Sequence, residues 1–186
     1  MQLLKDATPH LMTVGEYFAS NIQGHTELIE GIAYDVSPED EPHAFAVQQL
    51  NQFLLPKVMQ FGQVLRIQSP IAVPDWQGRN APEMDVTVIA RKQYDRTPTS
   101  ADAFAIIEVS DTTYDDDRER KIPLYVNAGV PAWIVNIQLR QVEFYGSVAD
   151  LAIEHGHVFP EHGTINVLGV SIPVADLFTV RPDANR

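Results

Sequence analysis

Two short apolar runs constrain this chain more than anything else in it. They are Met84-Asp85-Val86-Thr87-Val88-Ile89-Ala90 and Phe104-Ala105-Ile106-Ile107-Glu108-Val109-Ser110. Both are rich in β-branched residues, and near-continuous apolar character suits a strand buried on both faces, in the middle of an α/β sheet. Each run nevertheless carries one carboxylate. Asp85 sits near the start of the first and Glu108 near the end of the second. Acidic groups are rarely fully buried unless paired or metal-bound, because desolvation disfavours the charged form.

The remaining pattern alternates helices and strands. Residues 12–20 form a short helix, with Thr13 and Glu16 at capping-box spacing. Residues 27–36 read as one or two strands with a turn at Gly31, and the prolines at 38 and 42 break the pattern. From 43 to about 59, Phe45, Ala46, Leu50, Phe53, Leu54 and Val58 fall at helical spacing. Pro56 should bend that helix or end it early. Residues 64–73 read as a strand closed by Pro74, and 75–82 as a polar loop. A helix is expected over 114–128, ended by Gly129 and kinked or delayed by Pro123. Residues 133–137 and 141–145 form a hairpin-like strand pair, and the tail over 151–178 turns often, as small strands do. The 186 residues therefore read as a single α/β domain with a mixed sheet, a core over about 11–145 and a strand extension over about 146–180.

Composition closes several routes. There is no cysteine, which removes disulfides, thiolate nucleophiles and Cys-based metal sites. No apolar run approaches the ~18 residues of a membrane span, and the start lacks the apolar stretch of a signal peptide. The expectation is a cytoplasmic protein with no membrane partner. The chain has 13 Lys+Arg against 25 Asp+Glu, a formal charge of −12. That argues against wrapping nucleic acid by charge alone. Locally the balance differs: Arg79, Arg91, Lys92 and Arg96 cluster near the Asp85 run, where they read either as a solvated loop or as groups that could touch phosphates. No P-loop, GxGxxG or GxSxG fingerprint is present. Glu154-His155-Gly156-His157 with His162 has a metal-like look but reads better as a polar turn.

Neighbouring strands lie ~4.8 Å apart, so Asp85 and Glu108 could share one divalent cation. Hard oxygen ligands completed by waters suit Mg²⁺. Lys121 follows Glu108 by thirteen residues on the next helix, and Asp117, one turn earlier, could orient its ammonium group. The competing reading has Asp85 capping a strand end and Glu108 pairing with a surface arginine.

A set of short motifs occurs in order: Glu27-Leu28-Ile29-Glu30-Gly31, Ser37-Pro38, His43, Pro82-Glu83-Met84-Asp85-Val86, Ile107-Glu108-Val109-Ser110, Asp117-Arg118-Glu119-Arg120-Lys121, Leu124-Tyr125 and Ala128-Gly129-Val130-Pro131-Ala132-Trp133. In this the chain resembles the Uma2 family, also called the putative restriction endonuclease domain, which is similar to the PD-(D/E)XK nucleases. The resemblance implies a restriction-endonuclease-like mixed sheet flanked by helices. It implies that Asp85 and Glu108 bind metal, with the Val109 carbonyl as a further ligand. Lys121 matches the catalytic lysine, moved onto the helix because Ser110 stands at its usual place. Glu27 or Glu30 matches the early acidic residue, and His43 a position near the site. Met84 departs from the pattern, which has proline there.

The implied function is Mg²⁺-dependent, or Mn²⁺-dependent, endonucleolytic hydrolysis of DNA. Two other readings stand beside it: a catalytically inactive nuclease-fold interaction module, and a metal-dependent hydrolase of a non-nucleic-acid substrate. Trp133 reads as core or as a dimer contact; a homodimer is one option the sequence leaves open, and the apolar hairpin near Trp133 could supply its interface.

Overall fold

The two carboxylate-bearing runs fold as adjacent central strands. This is seen in a computed structural model, described over residues 10–22, 24–36, 38, 40–74 and 78–179. Strands β3 (Gln63–Pro70), β4 (Glu83–Ala90), β5 (Ala103–Ser110), β6 (Ala132–Asn136), β7 (Gln141–Tyr145) and β8 (His157–Pro160) form one six-stranded sheet in chain order. All neighbours are antiparallel except β5 and β6. A parallel pair needs a crossover, and here it is helical. The single domain is thus mixed α/β, with helices on the sheet faces.

One face is covered by helix α2 (Glu41–Val58), which buries Ala46, Val47, Leu50, Leu54 and Val58. These pack on Val86, Val88, Ile107 and Val135 of the sheet. The small hairpin of β9 (Thr164–Val167) and β10 (Val170–Pro173) completes this layer through Ile165, Val167 and Ile172. Trp133 belongs here too, 5% exposed and stacked near Phe144. Of the two readings of Trp133, core or dimer contact, its burial fits the first. Pro56 does not end α2, which runs on to Val58. Pro56 and Gln52, whose carbonyl loses its helical partner, both lie on the exposed face, where solvent can serve that carbonyl. Strand β3 stops at Pro70 rather than at 73. Part of the expected 75–82 loop, residues 75–77, lies outside the described residues, as does Ser37 of the Ser37-Pro38 motif.

The opposite face carries the crossover. It comprises α3 (Tyr114–Asp116), a π-helical turn (Asp117–Lys121) and α4 (Ile122–Asn127). Pro123 explains the interruption. It has no N–H to give, and its ring crowds the carbonyl four residues back. The chain widens by one residue, so that the Ile122 N–H reaches the Asp117 carbonyl, and the helix continues. Ile122, Tyr125 and Val126 then bury against Ile106 and Ile134.

A separate hairpin walls one end of the sheet. Strands β1 (Thr26–Ile29) and β2 (Ile32–Asp35) pair with Ile29 opposite Ile32. The two-residue turn, Glu30 at φ 53° and Gly31 at φ 82°, has positive φ at both positions, as tight hairpins of this kind need. Helix α1 (Val14–Ala19), capped by the expected Thr13/Glu16 box, packs Tyr17 beside it. A Cβ on Gly31 would lie 2.9 Å from the Leu11 Cβ and 3.1 Å from the Met12 carbonyl oxygen. Gly31→Ala is therefore expected to cost about 1–3 kcal/mol, read as a lowered midpoint in urea denaturation. Among the described residues, no helix is long and apolar enough to cross a membrane.

Candidate active site

The register of the central strands brings the two carboxylates together. Val86 pairs with Ile107, so the next step outward sets Asp85 opposite Glu108. There the plain backbone ladder gives way to side chains. The Val109 N–H donates to Asp85 Oδ2 at 2.7 Å, and the Asp85 N–H donates to Glu108 Oε2 at 3.3 Å. The Ser110 carbonyl accepts from Ile137 on the β6 side. Because successive carbonyls alternate along a strand, the Val109 carbonyl points the other way, toward β4.

Glu108 is the deeper of the two, 1% exposed. Its Oε1 accepts the Tyr125 hydroxyl, presented by α4. Burial pushes its carboxyl well above the usual range; the Lys121 charge opposes this, while Asp85 and Asp117 add to it. Asp117 is also raised by burial, against the pull of Lys121. Its Oδ2 accepts Ser110 Oγ at 2.7 Å and Thr113 Oγ1 at 2.8 Å.

Lys121 reaches this cluster despite the proline two residues on. Its Nζ lies 3.1 Å from Glu27 Oε2 and 3.4 Å from Asp117 Oδ1, and donates to the Glu83 carbonyl at 3.4 Å. Burial alone would lower its pKa. The charges of Glu108, Asp117, Glu27 and Asp85 outweigh that and hold it well above the ordinary lysine value. Between the two early acidic candidates the geometry separates clearly. Glu27 Oε2 accepts the Glu83 N–H and meets Lys121. Glu30 sits exposed in the hairpin turn, its N–H given to Asn80. His43, in the first turn of α2 and fixed by the Asp40 cap, places Nε2 3.2 Å from Asp85 Oδ1.

These groups open on a cavity of about 300 Å³ between the β1–β2 hairpin, the start of α2 and the start of the crossover helix. Glu27, His43, Asp85, Val109, Asp117 and Lys121 line it, and Glu108 lies behind the wall. Eight of the lining side chains are carboxylates, against the two cations Lys121 and Arg120. Among the described residues, no three His, Cys, Asp or Glu side chains are grouped as a ready metal nest.

Other expectations fare differently. The basic cluster does not gather at the site. Arg91, Lys92 and Arg96 follow the far end of β4, about 20 Å from Asp85 at ~3.3 Å per residue, and Lys92 is paired with Asp102. The His-rich tail does not converge either: His157 pairs with Asp150, and His155 with Tyr114 and Glu143.

Two features escaped the sequence reading. Nothing in the Leu124-Tyr125 motif signals that the Tyr125 hydroxyl serves Glu108. Glu143 lies in an alternating strand, yet it is fully buried and accepts the hydroxyls of Tyr114 and Tyr145, each at 2.9 Å. Tyr125→Phe would leave Glu108 Oε1 without its donor. It is expected to cost about 1–3 kcal/mol, measurable as a shift in chemical-denaturation midpoint.

The comparisons agree with this architecture. A solved structure of a putative nuclease belonging to DUF820 from Anabaena variabilis ATCC 29413 superposes with a TM-score of 0.64 at 14% identity, over 90% of this chain and 97% of that one. No curated protein matches the chain. The model of the Uma2 family, described as putative restriction endonuclease, matches residues 15–175. With nearly the whole sheet and both carboxylate strands inside the matched span, the chain belongs to the Uma2 family.

Proposed function

We propose that the protein is a Mg²⁺-dependent endonuclease, able to use Mn²⁺, that hydrolyses phosphodiester bonds of DNA. The observation that carries this reading is the meeting of Asp85, Glu108 and Lys121 at one end of the sheet, beside a cavity of about 300 Å³. The donor set suits a hard cation. Asp85 and the Val109 carbonyl offer oxygen atoms at the cavity, and Mg²⁺ typically takes one or two carboxylates and keeps several waters. Asp85, Val109 and Glu108 would hold it. When bound, it supplies polarisation of a phosphate oxygen and a water of lowered pKa.

The chain's own groups do the rest. His43 and the Val109 N–H fix both oxygens of Asp85. Glu108 anchors the Asp85 backbone, and Tyr125 anchors Glu108. Lys121, held by Glu27 and Asp117 with Ser110 in support, offers positive charge to the attacking hydroxide and to the phosphorane. Family membership and the nuclease-like fold support the same reading.

One observation favours a second reading, a nuclease fold kept as an interaction module. Both Glu108 oxygens are already taken by internal donors. Incubating the protein with duplex plasmid and with circular single-stranded DNA in Mg²⁺, Mn²⁺ or EDTA separates the two. Cleavage that requires the cation is expected. Both DNAs left intact with either cation, from a folded sample, would sink the endonuclease reading.

A further inference from the structure

The cavity has a second wall that the hydrolytic chemistry does not use. Tyr34 of β2 lines it, and the Arg120 guanidinium lies over the Tyr34 ring, 4.5 Å from the centroid. Ile29 and Val36 extend this wall with apolar surface. It shares that cavity with Asp85 and Lys121. Aromatic rings and guanidinium planes are both surfaces on which unpaired bases stack, with little regard to sequence.

Size and charge point the same way. A cavity of about 300 Å³ takes a group the size of a nucleotide. A B-form duplex, whose major groove alone is about 12 Å wide, cannot enter it. Duplex binding also rests on several phosphate contacts along both strands. Among the described residues the cavity lining offers no such track. Its lining cations are Arg120, 3.7 Å from Asp116, and Lys121, which is committed to Glu27 and Asp117. The other described cations do not line the cavity; Arg118 donates to the Leu151 and Ile153 carbonyls, Arg140 is paired with Glu161, Lys92 is paired with Asp102, and Arg91 and Arg96 follow the far end of β4.

We infer that the site takes an unpaired nucleotide of a single-stranded polynucleotide, its base stacked on the Tyr34–Arg120 layer and its phosphate turned toward Asp85 and Lys121. This rests on the endonuclease reading above and narrows its substrate class. Arg120 then has two tasks. Its plane extends the stacking surface, and its charge, now 3.7 Å from Asp116, is offered to a phosphate in a cavity lined by eight carboxylates.

The test is fluorescence anisotropy with labelled 20-mers of single-stranded DNA, single-stranded RNA and duplex DNA of the same sequence. Ca²⁺ replaces Mg²⁺ so that binding is read apart from cleavage, and a parallel Mg²⁺ assay follows cutting. Single strands should bind at least tenfold more tightly than duplex, and the DNA and RNA arms tell the two polymers apart. Tyr34→Ala should weaken single-strand binding about tenfold, with Tyr34→Phe close to wild type. Arg120→Ala should reduce the slope of log affinity against log salt by about 0.7.

Duplex binding as tight as single-strand binding would overturn the inference whatever the variants do. So would a folded Tyr34→Ala that binds like wild type. If the wild type cuts duplex in preference to single strands, the inference falls while the endonuclease reading stands. If no polynucleotide is bound or cut, both fall.

Discussion

Asp85→Asn is expected to yield a folded protein that has lost Mg²⁺-dependent cleavage by more than about 100-fold. Loss of mere outer-shell partners of a metal typically costs about 10–100-fold, and Asp85 is proposed to touch the cation itself. The substitution is nearly isosteric. The amide oxygen of Asn can still accept the Val109 N–H that Asp85 now holds at 2.7 Å, so the join between β4 and β5 survives. It also removes one negative charge beside Glu108, whose carboxyl is already raised by burial and by Asp85. Stability should therefore be equal to that of the wild type or slightly higher. Activity and stability moving in opposite directions is the mark of a functional group kept at a structural cost. The measurements are a cleavage rate on circular single-stranded and duplex DNA, a Mg²⁺ titration by calorimetry and a urea melt. An Asn variant that cuts and binds Mg²⁺ like the wild type would remove Asp85 from the site.

Much of this site is legible in the sequence because buried strands leave little freedom. An apolar run with one acidic residue must put that residue somewhere dry. Two such runs in antiparallel register left only a few ways for Asp85 and Glu108 to lie, and the register observed sets them side by side. Lys121 is legible from spacing, but its reach depends on the π turn that Pro123 imposes, which a count of residues does not contain. Glu143 was hidden by its alternation. In Gln141-Val142-Glu143-Phe144-Tyr145 it shares a face with Tyr145, and that face reads as the wet one until the crossover helix is laid over it. The basic cluster was misplaced for a reason the sequence did contain. Asp85 and Arg91 stand at opposite ends of one extended strand, so nearness in sequence means distance in space.

Lys121→Met should be the most damaging single change to stability in the cluster, by about 3–5 kcal/mol near neutral pH without divalent cation. Met keeps the apolar length of the lysine stem, so the loss is one of charge rather than of packing. In the wild type the Lys121 charge opposes the burial that raises Glu108 and Asp117. Its own pKa is held well above the ordinary lysine value, so its contribution is complete at neutral pH and is lost only as pH rises through that folded value. The two carboxyls have the same sign of shift. Their contribution is present below the ordinary carboxylate range, about pH 4, and is lost as pH rises through their raised folded values. Without Lys121 those folded values rise further, so the deficit of the variant is smallest in acid and widens toward neutral pH. Urea melts in EDTA at pH 5 and pH 8 should show the gap opening. A second series at pH 8 with Mg²⁺ should narrow it, because a cation bound at Asp85 and Glu108 replaces part of the missing charge. Equal stability of variant and wild type at pH 8 in EDTA would show that Lys121 is not the counter-charge of the buried carboxylates.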